Sequence, residues 1–304
     1  MGSFICAISE RDWEISLSRG IYGNKTGRVD KDGSYTFFGP STKYSIIRDL
    51  VGMKAGDKVF FHVLAAPSRV HGVYRVRESP YFDSTKVWVN PTELFPFRFL
   101  FEPHPDYKYL CELNANIQVV DFYELIEQRR IWSLATLENE MNLEARSVRK
   151  IDNENEAMEI IRLLNRDLRQ YGKGRDFSFS PIVVPGKKLA LEDCIADVGR
   201  YENSVKALLM FRLRQNDPAI TSVLGPVSDF MNEVFIAQTT RKSIDILCIR
   251  KQSSGSRDYI ITEVKTGKCD SNSLRQILYY IDLFKRKELV DISRDYIAGC
   301  LVGQ

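Results

Sequence analysis

The alternation of apolar and polar residues between Ser243 and Tyr280 predicts a strand, a turn, a second strand and a helix. Isoleucines recur through the first strand, serine and glycine fill the turn at Ser253–Ser256, and Tyr259–Val264 forms the second strand. The helix starts near Ser273, which we expect to act as its N-cap. Its expected apolar stripe consists of Leu274, Ile277, Leu278 and Ile281.

Three charged residues interrupt these apolar strands: Asp245 in the first, and Glu263 and Lys265 in the second. Because side chains alternate between the two faces of a strand, Glu263 and Lys265 share one face. An antiparallel partner strand brings Asp245 to that face. Two carboxylates and an ammonium are costly to bury on an isoleucine-rich sheet unless they hold a metal ion or take part in a reaction.

This set of side chains suits metal-assisted hydrolysis of a phosphodiester. Carboxylates of Asp245 and Glu263 are the ligands that Mg²⁺ (or Mn²⁺) prefers, and such an ion keeps several of its waters. Lys265 would orient the attacking water or offset the charge of the pentavalent state. Gln276 and Tyr280 are four residues apart, so they lie one above the other beside the apolar stripe of the helix.

These residues resemble the PD-(D/E)XK nuclease superfamily. Asp245 matches its first acid, Glu263–Lys265 its ExK tripeptide, and Gln276 with Tyr280 the QxxxY signature of RecB-like and archaeal mismatch nucleases. Ile244 stands where the family pattern has proline. An ExK tripeptide alone also arises by chance on solvent-exposed strands. The preceding acid and the following helix are the context that gives it weight.

The resemblance implies roles for particular residues of this chain. Asp245 and Glu263 would hold Mg²⁺, Lys265 would assist the water, and Gln276 would orient the site or contact DNA. The family also tends to carry a glutamate on the helix before the sheet. Glu202 is our match for that acid, and Glu192 is the competing candidate.

The first half of the chain has a different pattern, with short apolar strands separated by turns. The strands expected here are Phe4–Ser9, Lys58–Leu64, Val70–Arg77, Lys86–Val89 and the irregular Leu94–Phe101. A helix is expected at Ser45–Val51. Many short strands with turn signals between them are typical of a small barrel.

This half resembles the EVE domain, a PUA-like fold related to YTH. The resemblance rests on GIYG at 20–23, KAGDKVFFHV at 54–63, HGVYRV at 71–76, YFDSTKVW at 81–88 and FPFRF at 95–99. It implies a pocket with aromatic walls that holds a flipped, modified base. Tyr22, Tyr81 and Trp88 are the predicted walls, with Trp13 and Trp132 as further candidates. For each of these aromatic residues, packing in the core is the competing interpretation.

We therefore expect two domains. The first, 1–170, is an α+β PUA-like β-barrel whose later part, Val119–Tyr171, is helical and includes a helix at Leu134–Leu143. A linker follows at 171–188, where glycine and proline concentrate. The second, 189–304, is an α/β PD-(D/E)XK core with a mixed sheet, opened by a long helix from Leu189 to about Gln215 and closed by a late strand at Tyr296–Val302.

Composition narrows the class of protein. The 304 residues are 44% hydrophobic and 27% charged, typical of a soluble globular protein, and no run approaches the ~18 apolar residues of a membrane span. Six scattered cysteines and three histidines show no zinc spacing, and reduced thiols indicate a cytoplasmic protein. Net charge is only +3, but residues 241–290 hold eleven Lys or Arg and six Asp or Glu, a local +5 that suits a phosphate backbone.

A modified-base reader joined to a nuclease resembles a modification-dependent, type IV-like restriction endonuclease. Its partner would be double-stranded DNA with a modified base, with no membrane partner. Each chain carries one site, so cutting both strands requires a homodimer. Two alternatives remain: a repair, mismatch or structure-specific DNA nuclease, and an RNA-binding PUA-like protein.

Overall fold

The computed structural model describes residues 1–304 except 33, 86, 89–94, 135, 138–139, 144–146, 153, 167–187, 197, 238–241, 287–289 and 304. The strands are β1 Ser3–Ser9, β2 Ile21–Asn24, β3 Gly27–Val29, β4 Tyr35–Phe37, β5 Lys58–Leu64, β6 Arg69–Phe82, β7 Phe97–Pro103, β8 Asn116–Gln118, β9 Thr136–Leu137, β10 Glu140–Leu143, β11 Val148–Ile151, β12 Leu189–Ala190, β13 Asp229–Ala237, β14 Lys242–Lys251, β15 Arg257–Val264 and β16 Tyr296–Val302. The α-helices are α1 Glu10–Arg19, α2 Pro40–Val51, α3 Lys108–Glu112, α4 Phe122–Glu127, α5 Glu154–Arg166, α6 Glu202–Arg214, α7 Pro218–Leu224 and α8 Ser271–Arg286.

The chain forms two compact units, and both are mixed α/β structures with β-sheets. Unit 1 consists of Met1–Gly39 and Met53–Cys194, and unit 2 consists of Pro40–Gly52 and Ile195–Gln304. This division differs from the predicted one, because a segment from the first half of the sequence belongs to unit 2. Residues 171–187 of the predicted linker lie outside the described residues.

Unit 1 is built on a sheet of eight strands. Its main path has the order β11-β1-β5-β6-β7-β2, and the short strands β8 and β12 also pair with β6. The pairing of β1 with β5 is parallel, and the other pairings are antiparallel. Helix α1 begins where the Ser9 side chain accepts from the Asp12 amide, and it ends at Gly20, whose φ of 60° suits glycine. The strands predicted at Phe4–Ser9 and Lys58–Leu64 are confirmed.

Two predicted helices are wrong. The residues described within Leu134–Leu143 include strands β9 and β10, which pair with each other. The expected helix from Leu189 starts only at Glu202, because Leu189 and Ala190 pair with Phe82 and Tyr81 of β6. Strand pairing with distant parts of the chain overrides the helical pattern at both places.

Unit 2 has a four-stranded mixed sheet in the order β13-β14-β15-β16. The first two pairings are antiparallel, and β15 pairs with β16 in parallel, with α8 as the connection. A hydrophobic core joins the sheet to α6 and includes Leu209, Met210, Leu213, Ile246, Cys248 and Ile260. The predicted strand Tyr296–Val302 is confirmed.

Helix α8 is held close to the sheet. The Asp270 carboxylate caps its first turn by accepting from the Ser273 amide at 2.8 Å, so Asp270 and not Ser273 is the capping residue. A methyl group at Gly299 of β16 would lie 2.3 Å from Ile277 Cγ2, so the helix can approach only because that position is glycine.

Helix α2 belongs to unit 2 through its packing on α6. The Arg214 guanidinium at the end of α6 donates to the Val51 carbonyl at 3.2 Å. Val51 joins the hydrophobic core of the sheet and α6, and Asp49 accepts from Asn232 of β13 at 2.6 Å. Unit 2 is therefore completed by residues that precede it by about 150 positions in the sequence.

In unit 1, a buried carboxylate links α5 to the segment before β9. Glu156 accepts from the Trp132 amide at 2.9 Å and from the Ser133 hydroxyl. Burial raises the pKa of Glu156 to about 7; these two donors oppose the shift, and the nearby Asp152 adds to it.

Among the residues that the structure describes, no helix has the length and apolar character needed to cross a membrane.

Helix α2 leads to a prediction about truncation. The fragment 189–304 should fail to fold cooperatively, because it lacks Pro40–Gly52 and exposes the apolar surface that Val51 covers. A chain in which a flexible linker joins 40–52 to 195–304 should recover a cooperative thermal transition in circular dichroism. A fragment 189–304 as stable as the linked chain would contradict this role of α2.

Glu156 predicts a dependence of stability on pH. The folded protein binds a proton on Glu156 more readily than the unfolded chain does. The contribution of this proton to the free energy of unfolding is therefore fully present below about pH 4.5 and is lost as the pH rises through about 7. Glu156→Gln removes this titration. Between pH 5 and pH 8 the melting temperature of the variant should therefore fall less than that of the wild type.

The matched control is Glu127→Gln, which removes an exposed carboxylate. Its melting temperature should change with pH as that of the wild type does. Parallel pH slopes for all three proteins would show that Glu156 does not titrate in this range.

Candidate active site

The predicted carboxylates lie where β14 and β15 stop pairing. The antiparallel register runs from Lys251 opposite Arg257 to Ile246 opposite Thr262. Asp245 and Glu263 are the next residues on the two strands, so they follow the last pair on the same face of the sheet. The Val264 amide, which lies beyond the last pair between β14 and β15, donates to Asp245 Oδ2 at 2.8 Å. The structure thus brings the two predicted acids together.

Glu263 is the more deeply buried acid, with 2% of its surface exposed. Its Oε1 lies 2.7 Å from Lys265 Nζ, while its buried Oε2 accepts no hydrogen bond from any described residue. Burial raises the pKa of Glu263, Asp245 raises it further, and Lys265 opposes both. A buried carboxylate oxygen without a donor is costly, so this atom faces a place where a cation or a water would be bound.

Asp245 is bound by an ammonium that the sequence analysis did not identify. Lys206 Nζ of α6 contacts Asp245 Oδ1, and both residues are buried. Burial raises the pKa of Asp245, whereas the Lys206 charge and the Val264 amide lower it. Because α6 packs on the sheet, its buried face delivers a cation directly to the first predicted acid.

Lys206 also contacts two further carboxylates. Its Nζ lies 2.8 Å from Glu202 Oε1 and 3.2 Å from Glu233 Oε1. Burial lowers the pKa of Lys206, but the charges of Asp245 and Glu233 outweigh that effect and raise it above its ordinary value. The ammonium is therefore a permanent cation shared by three acids from three elements.

Glu233 of β13 connects this cluster to α2. Arg48 donates to Glu233 at 2.6 Å and to Asn203 at 2.7 Å, and the Ser243 hydroxyl donates to Glu233 Oε2 at 2.8 Å. Glu233 has a φ of 50°, a left-handed conformation that is unusual for glutamate. Its carboxylate is thus fixed from two sides by side chains on α2 and β14.

Gln276 and Tyr280 take the predicted arrangement on α8. The Gln276 amide donates to the Tyr280 hydroxyl at 2.9 Å. Burial raises the pKa of Tyr280, the Gln276 hydrogen bond opposes that shift, and the nearby carboxylates of Glu263 and Asp245 add to it. Tyr280 therefore lies within electrostatic reach of both acids, and Gln276 lies beside it.

The structure separates the two candidates for the helix acid. Glu202 lies in the first turn of α6, contacts Lys206, and is near enough to raise the pKa of Asp245. Glu192 lies in a short 3₁₀ helix, Glu192–Cys194, that belongs to unit 1. Lys206 lies four residues after Glu202 on α6, and this spacing is the one sequence signal that could have identified it. Arg48 and Glu233 have no comparable signal, because they meet the cluster only through the fold.

The donor set fits a hard divalent cation. Asp245 and Glu263 supply two carboxylates, and Glu263 Oε2 has no other described partner. Mg²⁺ often uses only one or two protein carboxylates and keeps its remaining waters. Among the described residues, however, no three His, Cys, Asp or Glu side chains are grouped closely enough to hold a metal ion. Glu202, Glu233 and Asp245 instead surround the ammonium of Lys206.

The predicted base-pocket residues lie in unit 1, and Tyr22 is part of its core. Only 1% of Tyr22 is exposed, and its hydroxyl lies 2.7 Å from the Ser147 carbonyl and 3.0 Å from the Ala7 carbonyl. Its ring packs 5.0 Å from Phe99 and 6.0 Å from Phe61, between centroids. Trp13, a further candidate, packs 5.0 Å from the same Phe61 ring.

Tyr81 and Trp88 belong together in a separate apolar cluster, which also contains Ile21, Val87, Phe95 and Leu100. Since Ile21 precedes Tyr22 on β2, this cluster lies on the opposite face of that strand from the Tyr22 ring. Both residues are at least 95% buried. The Tyr81 hydroxyl and Trp88 Nε1 nevertheless have no hydrogen-bond partner among the described residues.

A buried ion pair lies beside this aromatic cluster. Arg98 Nη1 is 3.5 Å from Asp83 Oδ1, and the guanidinium carbon is 5.5 Å from the centre of the Trp88 ring. The last candidate, Trp132, instead donates its ring N–H to Asp152 at 3.1 Å. Of the five aromatic candidates, only Tyr81 and Trp88 therefore combine proximity to each other with polar groups that lack a described partner.

Comparison with known proteins gives limited information. No protein-family model matches the chain, and no curated protein matches it. Among solved structures, the YTH domain of the MRB1 protein of Zygosaccharomyces rouxii, in complex with N6-methyladenosine RNA, is a weak structural neighbour. It has a TM-score of 0.29 and 14% identity, over 54% of this chain and 84% of the YTH chain.

Proposed function

We propose that unit 2 is a metal-dependent nuclease that hydrolyses phosphodiester bonds of DNA. The observation that carries the proposal is the pair of buried carboxylates, Asp245 and Glu263, with the half-buried Lys265 beside them where β14 and β15 part. Burying charged groups is costly, and carboxylates beside an ammonium suit phosphoryl chemistry.

The order of elements around the group gives further support. Helix α6 and the short helix α7 precede three antiparallel strands, and α8 then leads to β16, which pairs in parallel with β15. Apart from α7, this α-β-β-β-α-β arrangement, with acids on the second and third strands, is what the PD-(D/E)XK resemblance implies. Gln276 and Tyr280 of the QxxxY signature lie on the helix that follows the third strand.

The residues of this chain would act as follows. Asp245 and Glu263 would hold Mg²⁺ or Mn²⁺, which when bound supplies a Lewis acid for the phosphate and an acidified water. Lys265, hydrogen-bonded to Glu263, would orient the attacking water and offset negative charge that develops on the phosphate. Gln276 would position the Tyr280 hydroxyl or a DNA phosphate at the edge of the site.

We propose further that unit 1 directs cleavage to double-stranded DNA with a modified base. Support comes from the EVE-like motifs and from the Tyr81 hydroxyl and Trp88 Nε1, which have no described hydrogen-bond partner. A flipped base between aromatic rings would supply such a partner. Because both groups are buried, the base enters only by displacing side chains that cover them. One site per chain implies that a homodimer cuts both strands.

The first prediction from the proposed function tests the two acids. Asp245→Ala and Glu263→Ala should each lower the cleavage rate by about a thousandfold or more, since each removes a ligand worth several kcal/mol in the transition state. DNA binding, measured by fluorescence anisotropy, should stay within about threefold of wild type. Glu192→Ala is the matched control and should cleave normally. Cleavage near the wild-type rate by either acid variant would contradict the assignment.

The second prediction concerns Lys265. Lys265→Ala should reduce kcat by about a hundredfold, because the ammonium acts on the water and the developing charge. Its Mg²⁺ titration should plateau at this low rate. Lys268→Ala, a neighbouring exposed lysine, is the control. If excess Mg²⁺ restores the full rate of Lys265→Ala, the lysine serves only to support metal binding.

The third prediction concerns base recognition. Tyr81→Phe and Trp88→Phe remove the unpartnered polar atoms while keeping an aromatic ring. Each should weaken binding to modified duplexes by about three- to tenfold and leave unmodified DNA unaffected. If these polar groups are simply buried, Tyr81→Phe should instead stabilise the protein and leave all binding unchanged.

The substrate is identified by digesting panels of defined modified, unmodified and mismatched duplexes and of RNA, with Mg²⁺ and with chelator. Cleavage limited to modified DNA supports the restriction-like function. Preference for mismatches favours a repair nuclease, and preference for RNA excludes both.

A further inference from the structure

We infer that the Lys206 ammonium occupies the place of a cation on Asp245, and that a divalent metal ion binds only by displacing it. This inference rests on the proposed function, because it concerns the metal that the nuclease reaction needs. It assigns to Lys206 a role that neither the sequence motifs nor the predicted ligands contain. Lys206 is a positioning residue in this account, since it acts on the site through Asp245.

The contacts of Asp245 leave little room for a second cation. Lys206 Nζ contacts Oδ1, and the Val264 amide donates to Oδ2, so each oxygen already has a donor. Lys206 is 4% exposed and Asp245 is 6% exposed, so the ion pair is shielded from water. A metal ion that bound Asp245 while Lys206 remained would meet an ammonium at close range in a poorly screened environment.

The structure also provides a place for the displaced ammonium. Lys206 already contacts Glu202 at 2.8 Å and Glu233 at 3.2 Å. Glu233 is held by Arg48 and Ser243, so it stays in position when Lys206 leaves Asp245. The ammonium keeps two carboxylates throughout, which avoids the high cost of an unpaired buried charge.

The net charge of the cluster favours this exchange. When all groups are ionised, five carboxylates and three cationic side chains leave an excess of two negative charges. The carboxylates are Asp49, Glu202, Glu233, Asp245 and Glu263, and the cations are Arg48, Lys206 and Lys265. One divalent ion therefore neutralises the cluster, whereas the three cationic side chains alone do not. The inference also explains why the described acids are not grouped around a metal position, since they surround Lys206 instead.

The test is the affinity of the full-length protein for Mn²⁺, measured by isothermal titration calorimetry without DNA. Lys206→Met should bind Mn²⁺ at least about tenfold more tightly than wild type, because the competing cation is gone. Lys285→Met removes an exposed lysine from α8 and should leave the affinity unchanged. Equal or weaker binding by Lys206→Met would overturn the inference, as would a wild-type protein that binds no Mn²⁺.

Because Lys206→Met leaves three acids without their shared partner, this variant also needs a test that does not depend on its folding. A crystal structure of the wild-type protein with Mn²⁺, located by anomalous scattering, should show Lys206 Nζ away from Asp245 and retained by Glu202 and Glu233. Mn²⁺ on Asp245 with the Lys206 contact intact would overturn the inference.

The two hypotheses fail in different ways. DNA cleavage by a protein whose Mn²⁺ affinity does not change in Lys206→Met would remove the Lys206 inference and keep the nuclease. Displacement of Lys206 by Mn²⁺ in a protein that cleaves no nucleic acid would remove the nuclease and keep the exchange.

Discussion

The shared contact of Lys206 with three carboxylates is the interaction on which the candidate site depends. Removing one partner of a buried ion pair typically costs about 3–5 kcal/mol, because the remaining charge is left without solvent. Asp245 can be buried at the end of the sheet only because α6 places a lysine against it. The buried state of Asp245 therefore depends on the packing of α6 against the sheet, which brings Lys206 to it.

The same cluster also draws on α2, which is far from the rest of unit 2 in the sequence. Arg48 of α2 adds a second cation to Glu233, and its neighbour Asp49 accepts from Asn232 of β13. Val51 covers part of the core beneath the same helix. A helix that contributes both apolar cover and a buried guanidinium cannot be exchanged for solvent. The proposed catalytic residues thus come from 195–304, but the support that fixes them includes Pro40–Gly52.

Local patterns predicted the strands and the acids well and the long-range contacts poorly. The alternation of side chains along each strand correctly placed Asp245 and Glu263 on one face, since that geometry depends only on two adjacent strands. The same reasoning was wrong for part of the apolar stripe of α8: Leu274 and Leu278 are more than half exposed, whereas Ile277 of that stripe is buried together with Tyr280 and Phe284. Apolar spacing identifies a helix, but the side that is buried depends on its partner, here Gly299 of β16. Arg48 and Glu233 carry no local signal at all, because their role exists only after α2 meets β13.

The aromatic residues of unit 1 show a related limit. Stacking on a base and packing in a core require the same side chains, so sequence cannot separate the two roles. The hydrogen-bond partners of the polar atoms can distinguish the two roles. The Tyr22 hydroxyl is within reach of two backbone carbonyls, as expected of a core residue, whereas Tyr81 and Trp88 bury polar atoms that have no hydrogen-bond partner among the described residues. Leaving such groups buried without a partner is unfavourable, and a bound ligand or an ordered water would remove that cost. Any role in base recognition therefore rests on the cluster that contains Tyr81 and Trp88, while the evidence for a nuclease rests separately on the carboxylates of unit 2.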